Sequence, residues 1–184
     1  MQQRKQVHTL PLARPSGIGS WHDFRVTTLG ALLDDFLFRS TSEADRDRKF
    51  EGLVREFLRT DTLWSAEFDE VWTWEQWPDG EGDKAWVDLV ARKQETGDLS
   101  AVRCVFHDPD SPLPKKDIEK FLSASGKAPF TGRLVVATTD TWDSDAETAI
   151  SDQDVPVRKI GLTDLLSSSV DWTEFKPDSL VSTS

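Results

Sequence analysis

Apolar residues along this chain follow two rhythms, one helical and one alternating. Between about 27 and 39, Leu29, Leu32, Leu33, Phe36 and Leu37 recur at helical spacing and predict a first helix. A second helix over about 43–59 carries Phe50, Leu53, Val54, Phe57 and Leu58 on one stripe, with Glu51 at its edge and Asp61-Thr62 ending it. Residues 64–77 (WSAEFDEVWTWEQW) read as strand, with Val71 and Thr73 facing opposite to Trp72 and Trp74. After the PDGEGDK turn, strands at about 86–93 and 99–106 are joined by the tight turn at 95–98.

Beyond that hairpin, helices and strands alternate. Pro112 and Pro114 lead into a helix at about 115–125, with Ile118, Phe121 and Leu122 inward. The run RLVVATT (133–139) suits a strand buried in a parallel sheet. A helix at 144–151, a strand at 155–160 and a short helix at 163–167 follow. The order predicts an α/β fold with a mixed central β-sheet flanked by helices. Residues 1–20, with Pro11, Pro15, Gly17 and Gly19, read as a loose arm, and the polar segment after Trp172 as a linker or tail.

Composition adds bounds. The 184 residues are 37% hydrophobic, and eight Trp and ten Phe supply core material, so no disulfide or metal staple is needed. Cys104 is the single cysteine, which fits a reducing compartment. No apolar stretch reaches membrane-span length and the N-terminus has no signal-peptide core, so the expected location is cytoplasmic. The net charge of −11 argues against tight, autonomous DNA binding. It leaves room for a nuclease whose acids hold metal and whose affinity comes from an attached module.

Three segments carry candidate chemistry: Glu51 on its helix, Asp88 on a strand, and Arg103-Cys104-Val105 on the next strand. Phosphodiester cleavage needs carboxylates converging on Mg²⁺ and commonly a lysine beside them. Residues i and i+2 of a strand share a face, so a hairpin can bring Asp88 opposite positions 103 and 105. Other motifs read as structural. The acidic turn Asp79–Asp83 lacks EF-hand spacing, and Ser125-Gly126-Lys127 lacks the first glycine of a P-loop. Cys104 reads as a buried thiol, and His107, Asp108 and Asp110 as a solvated loop. Trp72, Trp74 and Trp77 read as core aromatics before base-stacking surfaces. Lys115, Lys116 and Lys120 read as a solvated helix face or as phosphate contacts.

Three runs carry a resemblance: KFEGLVREFLRTDTLWSAEFDEVWTWEQW, the stretch from VDLVARK to FLSASGK, and RLVVATTDTW through VPVRKIGLTDL. Over about 49–172 the chain resembles the N-terminal Mrr-like PD-(D/E)XK nuclease domain of type ISP restriction enzymes and restriction-associated helicases. The resemblance implies a restriction-endonuclease-like domain at 43–172, preceded by an arm and helix at 1–42 and followed by a tail or linker at 173–184. It implies Mg²⁺ as cofactor, DNA as partner and a helicase motor in the full-length protein. It gives Glu51 as the supporting helix carboxylate and Asp88 as the metal-binding aspartate. Active relatives then read Gln-Cys-Lys or Glu-Cys-Lys where this chain has Arg103-Cys104-Val105.

That departure has a physical meaning. Arginine stays protonated and cannot ligate Mg²⁺, so Arg103 puts positive charge where the metal would sit, and Val105 offers neither charge nor hydrogen bond. The favoured expectation is a DNA-processing domain of the restriction type whose cleavage is weak or absent. One alternative is an active Mg²⁺ endonuclease using a relocated lysine, with Lys116, Lys115 or Lys93 as source. Another is a non-catalytic domain whose acidic surface binds a protein.

Overall fold

The structure, a computed structural model, describes residues 28–82 and 86–177. The arm at 1–20, Asp83 of the acidic turn and the end of the tail at 178–184 lie outside the described residues. Helices α1 (Thr28–Arg39), α2 (Glu43–Thr60) and α3 (Thr62–Glu67) lead into strands β1 (Phe68–Thr73), β2 (Leu89–Lys93) and β3 (Leu99–Val105). A 3₁₀ turn (Lys115–Asp117), α4 (Glu119–Ser125), β4 (Phe130–Ala137), α5 (Ser144–Ser151), β5 (Val157–Ile160) and α6 (Leu162–Leu166) complete the domain. The strands lie in chain order in one sheet, antiparallel from β1 to β3 and parallel from β3 to β5. This is the mixed sheet with flanking helices that the sequence predicts.

Both faces of the sheet are covered. Leu89 and Ala91 of β2, Val102 and Cys104 of β3, and Leu134 and Val136 of β4 pack against α1, α2 and α6. Val90, Ala101, Val105 and Val135 face the other way, onto Ile118, Phe121, Leu122 and Ala146. Period-two alternation thus sorts each strand between two cores, which is why RLVVATT reads as uniformly apolar. Each fully buried Leu or Phe contributes about 1.5–3 kcal/mol of transfer free energy. Leu29, Leu33 and Phe36 of α1 share a core with α2, and Phe175 packs edge-on to Trp172 at 6.0 Å.

The segment 64–77 departs from the strand expectation. Asp61 closes α2 by donating its N–H to Phe57 O, and its carboxylate then accepts from Leu63 N and Trp64 N to start α3. Capping therefore overrides the β propensity of the aromatic run. β1 spans only 68–73, and the chain turns back at Thr73, whose carbonyl accepts from Gln76 N and Trp77 N. The strand expected at 86–93 begins at Leu89, because Trp86 has φ 62° and cannot continue a pleat. The helix expected at 115–125 divides at Ile118 into a 3₁₀ turn and α4.

Arg133 on β4 is the largest fully buried side chain among the described residues. Its Nη1 donates to Leu122 O, in α4, at 2.9 Å, and its Nη2 to Gln153 Oε1 and Val155 O at 2.8 and 2.7 Å. One side chain thereby ties both crossover connections to β4, and burial pulls its guanidinium below the usual arginine range.

Asp61 is the comparable joint on the other side. Only 6% exposed, it also accepts from Ser169 N at 3.0 Å, linking the α2–α3 corner to the segment after α6. Asp61→Ala strands these donors and is expected to cost about 2–3 kcal/mol in urea unfolding. A loss below about 0.5 kcal/mol, the range of ordinary surface changes, would show the cap to be redundant.

Candidate functional site

The candidate site lies where the β2–β3 hairpin outruns its neighbour. β1 ends at Thr73, paired with Leu89, one residue short of position 88. On the β3 side Asp88 N donates to Val102 O at 2.9 Å, which holds Asp88 beside the end of the β2–β3 ladder, next to Arg103 and Cys104. A cavity of about 680 Å³ opens there, lined by Glu51, Arg55, Trp86, Asp88, Arg103 and Cys104 among others. α2 delivers Glu51, half-buried, beside the fully buried Phe50 and Leu53 that seat the helix on the sheet.

Asp88 is 2% exposed, so its carboxylate requires donors. Cys104 N donates to Oδ2 at 2.7 Å, and Arg103 Nη1 lies 3.1 Å from Oδ2 and 3.3 Å from Oδ1. The arginine side chain is itself only 22% exposed, which makes this an ion pair set well into the protein. Arg103 Nε is buried and meets no hydrogen-bond partner.

Two further arginines line the cavity. Arg48 is held by Asp45 at 3.0 Å. The Thr41 N–H, followed by Lys49 and Arg48, brings the Asp45 carboxyl down to about 2. Arg55 donates from Nε to Val71 O at 3.0 Å, and burial, then the nearby charge of Arg59, lowers its guanidinium from the ordinary value. Arg48, Glu51, Gly52 and Arg55 follow the i, i+3, i+4, i+7 spacing of one helix face, a signal in the sequence from which only Glu51 was singled out. Trp86, read as the start of a strand, also lines the cavity.

The remaining predicted positions lie elsewhere. Val105 is buried in the core on the second face of the sheet, and Lys116 is exposed on the 3₁₀ turn. Lys93 ends β2 at the far end of the hairpin, and Lys115 is exposed beside Lys116. No lysine is among the described residues lining the cavity. Asp108 bonds within its own loop, where its Oδ1 accepts from Asp110 N at 2.9 Å, and His107 Nδ1 stands 3.8 Å from Asp117.

Mg²⁺, which the family resemblance implies, takes several hard oxygen ligands including carboxylates. Among the described residues no group of three His, Cys, Asp or Glu side chains could hold a metal ion. A guanidinium moreover occupies both oxygens of Asp88. The donor set does not fit Mg²⁺ as it stands; it fits a site whose cation is an arginine.

Residues 59–181 match a family model described as restriction endonuclease. Among solved structures, the chain is similar to the ATP-dependent type ISP restriction-modification enzyme LlaBIII bound to DNA, at 30% identity and a TM-score of 0.64. That likeness covers 78% of this chain and 9% of LlaBIII, so the chain spans a small part of that enzyme's length. The DNA modification-dependent restriction endonuclease AspBHI matches at 16% identity and a TM-score of 0.47, over 83% of this chain and 38% of its own. The MspJI restriction endonuclease in complex with a 27-mer oligonucleotide matches at 15% and 0.47, over 91% of this chain and 43% of its own. No curated protein matches. Among the described residues, no helix is long and apolar enough to cross a membrane.

The ion pair generates a stability test. Arg103→Ala withdraws the cation from a buried carboxylate and is expected to cost about 2 kcal/mol, between the values for surface and fully buried pairs. The double variant Asp88→Asn, Arg103→Ala should lose less than the sum of its two singles, because the pair acts as a unit. Additive losses in a urea double-mutant cycle would show that the two side chains are not coupled.

Proposed function

Because the chain belongs to the restriction endonuclease family, we propose that it engages DNA at the Asp88–Arg103 centre as one domain of a larger restriction protein, with cleavage weak or absent. The observation that carries this reading is the guanidinium seated on both oxygens of Asp88. A permanently protonated arginine can hold a phosphate oxygen, but it can neither ligate a metal nor take a proton from water. Nη1 meets Asp88, and Nη2 is the donor suited to an incoming phosphodiester oxygen.

Arg48 and Arg55, on the α2 face of the same cavity, add donors suited to a neighbouring phosphate. Glu51, Glu75 and Asp47 offset that charge, so the site holds DNA weakly by itself. Affinity then comes from other modules, and a helicase motor in the full-length protein is the partner the resemblance implies. No lysine stands among the described residues lining the cavity to stabilise charge developing on the leaving oxygen. Binding without efficient hydrolysis is the chemistry these residues support.

Two measurements test the reading. Calorimetry with millimolar Mg²⁺ should detect no tight site in the wild-type chain, and plasmid incubated with Mg²⁺ should stay supercoiled. Arg103→Gln should free the Asp88 carboxylate for weak Mg²⁺ binding, seen in calorimetry as a heat that wild type lacks, without restoring nicking. Robust wild-type cleavage abolished by Asp88→Ala would overturn the reading in favour of an active nuclease with a lysine from elsewhere.

A further inference from the structure

Trp86 stands apart from the other tryptophans. It is 47% exposed, whereas every other tryptophan among the described residues is buried or half-buried. Its backbone lies in the left-handed region at φ 62°, the sole positive φ at a described residue other than glycine. A bulky side chain there is strained, and an indole facing water adds an unfavourable hydration term. Neither cost is offset by the core. Trp86 also borders two cavities, the one holding Asp88 and Arg103 and a second of about 490 Å³ formed with Glu119, Lys120, Ser123 and Ala124.

Lys120 Nζ lies 4.3 Å from the ring centroid, a cation set over the aromatic face. It belongs to a locally basic stretch: between 115 and 127 the chain carries Lys115, Lys116, Lys120 and Lys127 against Asp117 and Glu119, within a net charge of −11. All four lysines are exposed. An exposed indole beside a basic strip complements a ligand that offers a flat π surface and an anion a few ångströms apart. A nucleotide in a single strand has both, whereas a duplex keeps its bases stacked on one another.

We infer that Trp86 is a stacking platform for an unpaired DNA base, with Lys120 receiving the adjacent phosphate, at the mouth of the Asp88–Arg103 cavity. The inference rests on the DNA-engaging reading above and narrows it to a strand with at least one base out of its stack. Such a strand would run along the 115–127 segment and pass Trp86 before its backbone reaches Arg103. The acidic balance of the chain keeps the interaction weak and salt-sensitive, as suits a strand that must move.

The test is fluorescence anisotropy of a labelled oligothymidylate of about 15 nucleotides, in low salt, against the full chain. Its duplex and an abasic strand of equal length serve as comparisons. Wild type should bind the single strand more tightly than the duplex, and the abasic strand should bind more weakly than the normal one. Trp86→Ala should weaken single-strand binding about tenfold, with Trp86→Phe retaining most of it. Lys120→Ala should weaken binding less and flatten the salt dependence by about 0.7 log units per decade, one phosphate contact. Circular dichroism of both Trp86 variants checks that the fold is kept. If wild type binds the strand and Trp86→Ala binds it equally well, or if the abasic strand binds as tightly as the normal one, the platform is refuted while DNA engagement stands. If wild type binds neither strand nor duplex, DNA engagement fails and the platform fails with it.

Discussion

A carboxylate almost wholly removed from water has to be compensated, and the arrangement around Asp88 follows from that requirement. Two of its donors come from the neighbouring strand, the Cys104 N–H and the Arg103 guanidinium. Both are in reach because Leu89 pairs with Val102 and Asp88 N bonds to Val102 O, which holds Asp88 beside Arg103 and Cys104. A slip of one residue would take both donors away from its carboxylate. The turn at Gly97, with φ 76°, therefore bears on the chemistry at the opposite end of the hairpin. The Arg103 cation is supplied by the chain itself, so its presence beside Asp88 depends on the strand pairing.

The stagger of the sheet gives that pair an outlet. β1 stops at Thr73, opposite Leu89, one residue before position 88. The turn back at Thr73 to Trp77 ends that strand, and α2 closes the opening with Glu51 and Arg55. The parallel half of the sheet is a support. β4 lies along the whole of β3 from Leu99 to Val105, so the strand carrying Arg103 is flanked by β2 and β4.

Much of this was legible in the sequence. The stripes of α1 and α2 are long and strongly amphipathic, and the structure bounds them within a residue of the pattern. The β2–β3 hairpin was equally clear, since Glu95-Thr96-Gly97-Asp98 admits little but a tight turn. Glu51 and Asp88 were located by resemblance, because periodicity alone does not separate a site carboxylate from an ordinary surface acid. The failures share a cause. Asp61 ends α2 as the sequence predicts, but the helix α3 that its carboxylate starts, and its reach to Ser169, are side-chain bonds that hydrophobic pattern does not encode. Trp86 was read as strand because its aromatic character favours one, whereas its backbone angle decides otherwise. Arg133 sits in an apolar strand with partners far along the chain, so nothing local marks it as buried.

Arg133 has a consequence for how the domain meets acid. Its hydrogen-bond acceptors are two peptide carbonyls and an amide oxygen, none of which gains or loses a proton in any ordinary buffer. The surface links at the sheet margins are of another kind, each resting on a carboxylate: Arg92 with Asp69, Arg158 with Glu67, Lys159 with Glu147. Protonation cancels those links one by one, and added salt screens them beforehand. The brace between α4, the Gln153–Val155 segment and β4 is indifferent to both. Acidification should therefore loosen the domain from its margins inward, and the half built on β4 should be the last to let go.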